Sequence, residues 1–119
     1  MECKPKIINR KEVKPTSPSD GVYEYWLTNK DTPTENISYA YVIFEKGISS
    51  GEHIHSAEEI FYFVKGTGKI IVNNEEYDIK PDLCVYVPKN ISHNIIGTKD
   101  SNIEVFVTIG STEIETKYF

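Results

Sequence analysis

From Val22 onward, turn-forming residues recur every few positions, and the short runs between them are dominated by Tyr, Val, Ile, Phe and Thr. No window sustains apolar residues at i, i+3, i+4 and i+7, so the runs read as strands and the chain as all-β. Strands are predicted at residues 22–28, 38–45, 59–65, 69–73, 76–79, 83–87, 92–96, 103–109 and 113–118. Gly66-Thr67-Gly68 and Asn73-Asn74 between them tolerate positive φ, and Lys80-Pro81-Asp82 and Pro88-Lys89-Asn90 make sharp corners. Many short strands joined by tight turns close into a sandwich or a barrel.

The 119 residues suffice for one domain. A domain this short buries only about two-thirds of its chain surface, which favours a partner subunit. Residues 1–21 carry Pro5, Pro15 and Pro18 and read as an extended arm, exchanged between the subunits of a homodimer; residues 22–119 form the barrel. Tyr23, Tyr25 and Trp26, between Val22 and Leu27, are too much apolar bulk for a free surface and are expected to bury against the second subunit or the core.

Charge narrows the partners. With 13 Lys+Arg against 18 Asp+Glu the net charge is -5, which argues against nucleic acid and anionic membranes as partners. Arg10 is the sole arginine and is far in sequence from the motifs below, so an arginine clamp on phosphate or carboxylate is not expected. No run approaches the ~18 apolar residues of a membrane helix and the first ten residues lack the apolar stretch of a signal peptide, so a cytoplasmic location is expected. Cys3 and Cys84 are isolated and read as free thiols.

The chain has three histidines, and two stand in the run Gly51-Glu52-His53-Ile54-His55-Ser56-Ala57-Glu58-Glu59. On a strand, residues i and i+2 project from one face, so His53 and His55 can aim at one point while Ile54 packs the other way. Glu59 shares their parity and Glu58 does not. Three histidines placed at random would give an H-x-H pattern about 0.07 times in a chain of this length, so chance explains the motif poorly.

With Gly47 before and Gly66 after, the string is G-x5-H-x-H-x3-E-x6-G, and it resembles the first motif of the cupin superfamily without a gap. The run from Asp82 to Gly97 is similar to the second, G-x5-P-x-G-x2-H-x3-N: Pro88 and His93 fall in place, Asp82 and Asn90 replace glycines, and Gly97 replaces an asparagine. Asp and Asn best tolerate left-handed turns among non-glycine residues, so both corners can still form. The resemblance implies a cupin-type double-stranded β-helix, a jelly-roll barrel, in which His53, His55, Glu59 and His93 ligate one divalent metal ion.

Imidazole suits Fe, Ni, Cu and Zn, and a carboxylate adds affinity for Mn, so the ion's identity stays open among these five. Three neutral imidazoles and one carboxylate leave a divalent site of net charge about +1 with two adjacent octahedral positions free, suited to oxygen or a chelating small molecule. Strand parity suggests an aromatic pocket with Tyr41, Phe61, Phe63 and Phe106 among its walls. The expected function is that of a metalloenzyme acting on a small oxygen-bearing organic molecule, oxygenase-like first and isomerase, lyase or decarboxylase second. A non-enzymatic ligand-sensing or metal-binding module is the third reading.

Overall fold

Residues 3–119 are described in a computed structural model of the chain. A short 3-10 turn, Arg10–Glu12, precedes eleven strands: β1 (Thr16–Ser19), β2 (Val22–Thr28), β3 (Ser38–Phe44), β4 (His53–His55), β5 (Glu59–Lys65), β6 (Gly68–Val72), β7 (Glu75–Ile79), β8 (Cys84–Val87), β9 (His93–Gly97), β10 (Ile103–Ile109) and β11 (Thr116–Tyr118). They form a six-stranded sheet, in the order β1-β2-β3-β10-β5-β8, and a five-stranded sheet, in the order β11-β4-β9-β6-β7. Every pairing is antiparallel.

The nine expected strands are present, each end within one residue except the start of the last, expected at 113 and found at Thr116. There the Ser111 hydroxyl accepts from the Glu113 N–H and donates to the Glu113 carbonyl, turning the backbone away from a ladder. Two strands were not expected. Thr16–Ser19, at the end of the presumed arm, pairs with β2; it is an edge strand of its sheet, where a proline such as Pro18 is tolerated. His53–His55 is too short for periodicity to mark.

The core lies between the sheets. Phe63, Ile70, Ile103 and Val105 are fully buried, and along β10 buried residues alternate with partly exposed ones as period-2 geometry requires. The β6–β7 hairpin turns on Asn73 and Asn74, both at positive φ. Asp82 and Asn90, at φ 72° and 61°, adopt the left-handed geometry that the family pattern gives to glycine. Gly97 serves a different purpose: its N–H donates to the Ile48 carbonyl, which lies so close that a Cβ would collide with it.

Candidate metal centre

β4 and β9 lie side by side in the five-stranded sheet with His53 directly opposite His93, and His55 follows two residues on from the same face. Glu59 opens β5 in the other sheet. The centre is therefore assembled between the sheets, with three imidazoles on one side and a carboxyl on the other. One nitrogen of each histidine lies within 4.8 Å of those of the others. Nε2 of His93 is 2.6 Å from Glu59 Oε1, and Nε2 of His55 is 3.7 Å from the same oxygen. His53, Glu59 and His93 are only 8%, 2% and 2% exposed.

The outer ring nitrogens fix the tautomers. Nδ1 of His53 donates to the Gly51 carbonyl at 2.7 Å and Nδ1 of His93 to the Ile91 carbonyl at 3.0 Å. A carbonyl only accepts, so in both rings Nδ1 carries a proton; neutral His53 then turns its Nε2 lone pair inward, whereas His93 Nε2 faces the Glu59 carboxylate. His55 Nδ1 meets the Thr116 hydroxyl at 2.9 Å, a partner that can also accept. Such bonds orient histidines in metal sites.

Burial drives the electrostatics. It lowers the His53 pKa to about 4, against the opposing Gly51 carbonyl, with the neighbouring His93 and His55 lowering it further. Burial and then His93 bring His55 to about 4 as well. Burial also acts to lower His93, but the Glu59 carboxylate beside it prevails and the net shift is upward. Two histidines are thus held neutral, the form in which imidazole binds metal.

A test of fit lies in the polar atoms. Both Glu59 carboxyl oxygens and His93 Nε2 are fully buried without a hydrogen-bond partner. Glu59 and His93 touch at 2.6 Å but lack the alignment of a hydrogen bond. Buried oxygen and nitrogen acceptors left unpaired cost about 1–3 kcal/mol each. A divalent cation among them would satisfy all three, and the donor set of imidazole and carboxylate suits a transition metal.

The centre opens on a cavity of about 340 Å³ between the sheets. Of the two β5 phenylalanines, Phe61 lines it, whereas Phe63 is buried one inward step along the strand, in the core. Tyr41 and Phe106 lie outside the cavity, which corrects the parity assumed for β3 and β10. There Ala40, Val42, Phe44, Val107 and Ile109 face inward, while Tyr41 and Phe106 pair across the strands on the outer face with ring centres 5.0 Å apart. Arg10 stacks 4.6 Å from the Tyr41 ring on that outer face. Among the described residues, no lysine or arginine lines the cavity. Glu58 accepts from the Tyr86 hydroxyl at the surface, away from the histidines.

Many of the wall residues escaped sequence reasoning. Glu24 and Trp26 on β2 line the cavity, as do Thr116 and Tyr118 on β11. β11 pairs with β4 so that Thr116 lies opposite His55 and Tyr118 opposite His53, with the Tyr118 and His53 rings 5.3 Å apart. Glu24 and Trp26 share the parity of buried Val22, a signal that was available; the β4–β11 register, linking segments some 60 residues apart, had none.

Residues 40–109 match the family profile described as Cupin domain. The uncharacterized protein MJ1618 of Methanocaldococcus jannaschii is 32% identical over 59 residues, covering 49% of this chain and 47% of that protein, so the match spans about half the length of the curated relative. Among solved structures, the polyketide cyclase RemF from Streptomyces resistomycificus overlays with a TM-score of 0.82 at 13% identity, covering 97% of this chain and 85% of its own. A predicted oxalate decarboxylase from Thermotoga maritima overlays with a TM-score of 0.80 at 23% identity, covering 89% and 99%. At these identities the likeness to the solved structures is one of fold.

Proposed function

The chain belongs to the Cupin domain family, and from that premise we propose that it is a mononuclear metalloenzyme in which His53, His55, Glu59 and His93 hold one divalent ion. The observation that carries the reading is the set of unpaired buried atoms, Glu59 Oε1 and Oε2 and His93 Nε2, beside two further inward-facing histidines. The ion would be Fe, Mn, Ni, Cu or Zn, all compatible with imidazole and carboxylate donors. When bound, it supplies Lewis-acid or oxygen-activating chemistry to a small molecule chelating through two oxygens.

The chain's own residues do the remaining work. The Nδ1 bonds hold the three imidazoles in place, and Phe61, Ile95, Val107 and Ile109 give the chamber an apolar lining. A cavity of about 340 Å³ fits one small organic molecule. The absence of a cation from the wall favours an uncharged, oxygen-bearing substrate over a phosphosugar, and hence oxygenase-like chemistry over decarboxylation or sugar isomerisation.

The test is elemental analysis of protein purified without chelator or histidine tag, followed by oxygen-uptake measurements with candidate substrates. About one equivalent of Fe, Mn, Ni or Cu with substrate-dependent uptake supports the reading. Tightly held Zn, or metal indifferent to oxygen, moves it to isomerase, lyase or binding chemistry, and no metal under any loading condition overturns it.

We further propose a homodimer with exchanged N-terminal arms. Ile7 in the arm is fully exposed, and Ile60, Tyr62 and Val64 are exposed on the outer face of the six-stranded sheet, apolar groups that a second copy would cover. A solution mass equal to one chain would refute this. No helix among the described residues is long and apolar enough to cross a membrane. Cys3 and Cys84 are free thiols, which suits the cytoplasm.

A further inference from the structure

Among the described residues, Glu24 is the one carboxyl in the cavity wall outside the metal centre. It sits on β2, three strands from the Glu59 strand in the same sheet, so the two carboxyls approach the chamber from different parts of its wall. Its side-chain partner among the described residues is the indole N–H of Trp26, which donates to Oε1 at 3.2 Å. Its cross-strand neighbours are Thr16 on β1 and Val42 on β3, neither of which offers a charge. The other titratable groups facing the cavity are His53 and His55 on β4, Glu59 on β5 and Tyr118 on β11. Burial raises the Glu24 carboxyl above the ordinary carboxylate range, and the Trp26 N–H pulls it part of the way back.

A half-buried carboxyl with no cation beside it costs stability that a purely structural position would avoid, since an apolar side chain would pack there without a desolvation penalty. Its indole bond engages Oε1 and leaves Oε2 without a hydrogen bond among the described residues. We propose that Glu24 is a substrate-contacting residue that selects an uncharged or cationic molecule presenting a hydroxyl or amino group to this part of the chamber, and rejects a ligand presenting a carboxylate there. The proposal rests on the reading of this cavity as the substrate chamber. Small dicarboxylates are thereby disfavoured even though the metal centre could chelate them.

Trp26 is the only tryptophan in the chain and is bonded to Glu24, so its emission reports on this wall with or without metal. The experiment titrates metal-free wild-type protein and Glu24→Gln at pH 8 with benzylamine, benzyl alcohol and benzoate, following Trp26 fluorescence. The glutamine keeps an oxygen for the indole N–H and removes the charge; its thermal midpoint checks folding.

The expected result is benzylamine binding about tenfold tighter than benzoate to wild type, with benzyl alcohol between, and a ratio cut to about twofold in Glu24→Gln. Because Glu59 also faces the cavity, the difference between the two proteins assigns the effect to Glu24. A wild-type ratio near one, a ratio unchanged in Glu24→Gln, or no response of Trp26 to any of the three at millimolar concentration each overturns the proposal. Metal content of the same proteins judges the metal reading separately: Glu24→Gln should load as wild type does.

Discussion

Glu59 Oε1 and His93 Nε2 face each other at 2.6 Å across the gap between the two sheets, buried and without a hydrogen bond between them. Neither sheet alone contains the full set of donors, and each atom of this pair is stranded without the other sheet's contribution and a cation to share.

The first prediction concerns the donors. Replacing His53, His55 or His93 by Ala, or Glu59 by Gln, lowers metal affinity by more than about 100-fold, beyond the 10–100-fold typical of a lost outer-shell partner. The β-sheet circular dichroism of each variant stays as in wild type, because the apolar core of Phe63, Ile70, Ile103 and Val105 is untouched. Undiminished metal stoichiometry and affinity in all four would count against the site.

The second concerns pH. His53 and His55 are lowered to about 4 in the folded protein, against an ordinary 6.5, so between these values the unfolded chain binds more protons. Their contribution falls as pH drops from about 6.5 to about 4. His93 is shifted the other way; its contribution is complete below 6.5 and is lost as pH rises through its raised value. For these three groups together, stability of the metal-free protein is greatest near pH 6.5. Thermal midpoints in chelator from pH 4 to 9 check this, and the acid-side slope should shrink in His55→Ala.

The third concerns Thr116. Its hydroxyl holds His55 Nδ1 at 2.9 Å. Thr116→Val keeps the shape and removes the bond, so metal affinity should fall about tenfold, the lower end of the range for such partners, because the position is exposed and water can substitute. Competition against a chromophoric chelator measures it; equal affinities would show that β11 does not orient the ligand.

The fourth concerns Gly97, where the family pattern has asparagine. Gly97→Asn brings the chain closer to that pattern and should nonetheless destabilise it by about 1–3 kcal/mol, because any Cβ runs into the Ile48 carbonyl. Urea denaturation gives the value. A neutral or stabilising outcome would mean that the Ser49–Ile96 bridge region shifts freely.

The strands were legible because Tyr, Val, Ile and Phe runs end at residues with turn chemistry, and the metal centre because His53, His55 and Glu59 share one parity. The pocket was harder to read. β3 is apolar on both faces, Tyr39, Tyr41 and Ile43 on one and Ala40, Val42 and Phe44 on the other, so alternation alone does not say which side turns inward. The smaller set faces the chamber, where bulk must be limited, and the aromatic set packs with Phe106 and Arg10 outside. Glu24 is hard to read because Tyr23, Tyr25 and Trp26 around it mark the strand for burial without marking which face its single carboxyl takes.

The chamber wall includes one edge strand of each sheet, β1 through Pro18 and Ser19 and β11 through Thr116 and Tyr118. Each is laddered to a single neighbour, whereas Val107 and Ile109 belong to a strand laddered on both sides. Backbone amides in the two outer strands should therefore exchange with deuterium long before those of β10, through local fraying that leaves the rest of the barrel closed. The chamber thus has one firm wall and one yielding one, and fraying of β11 would release the Thr116 bond to His55 while His93, on a strand laddered to β4 and β6, stays held.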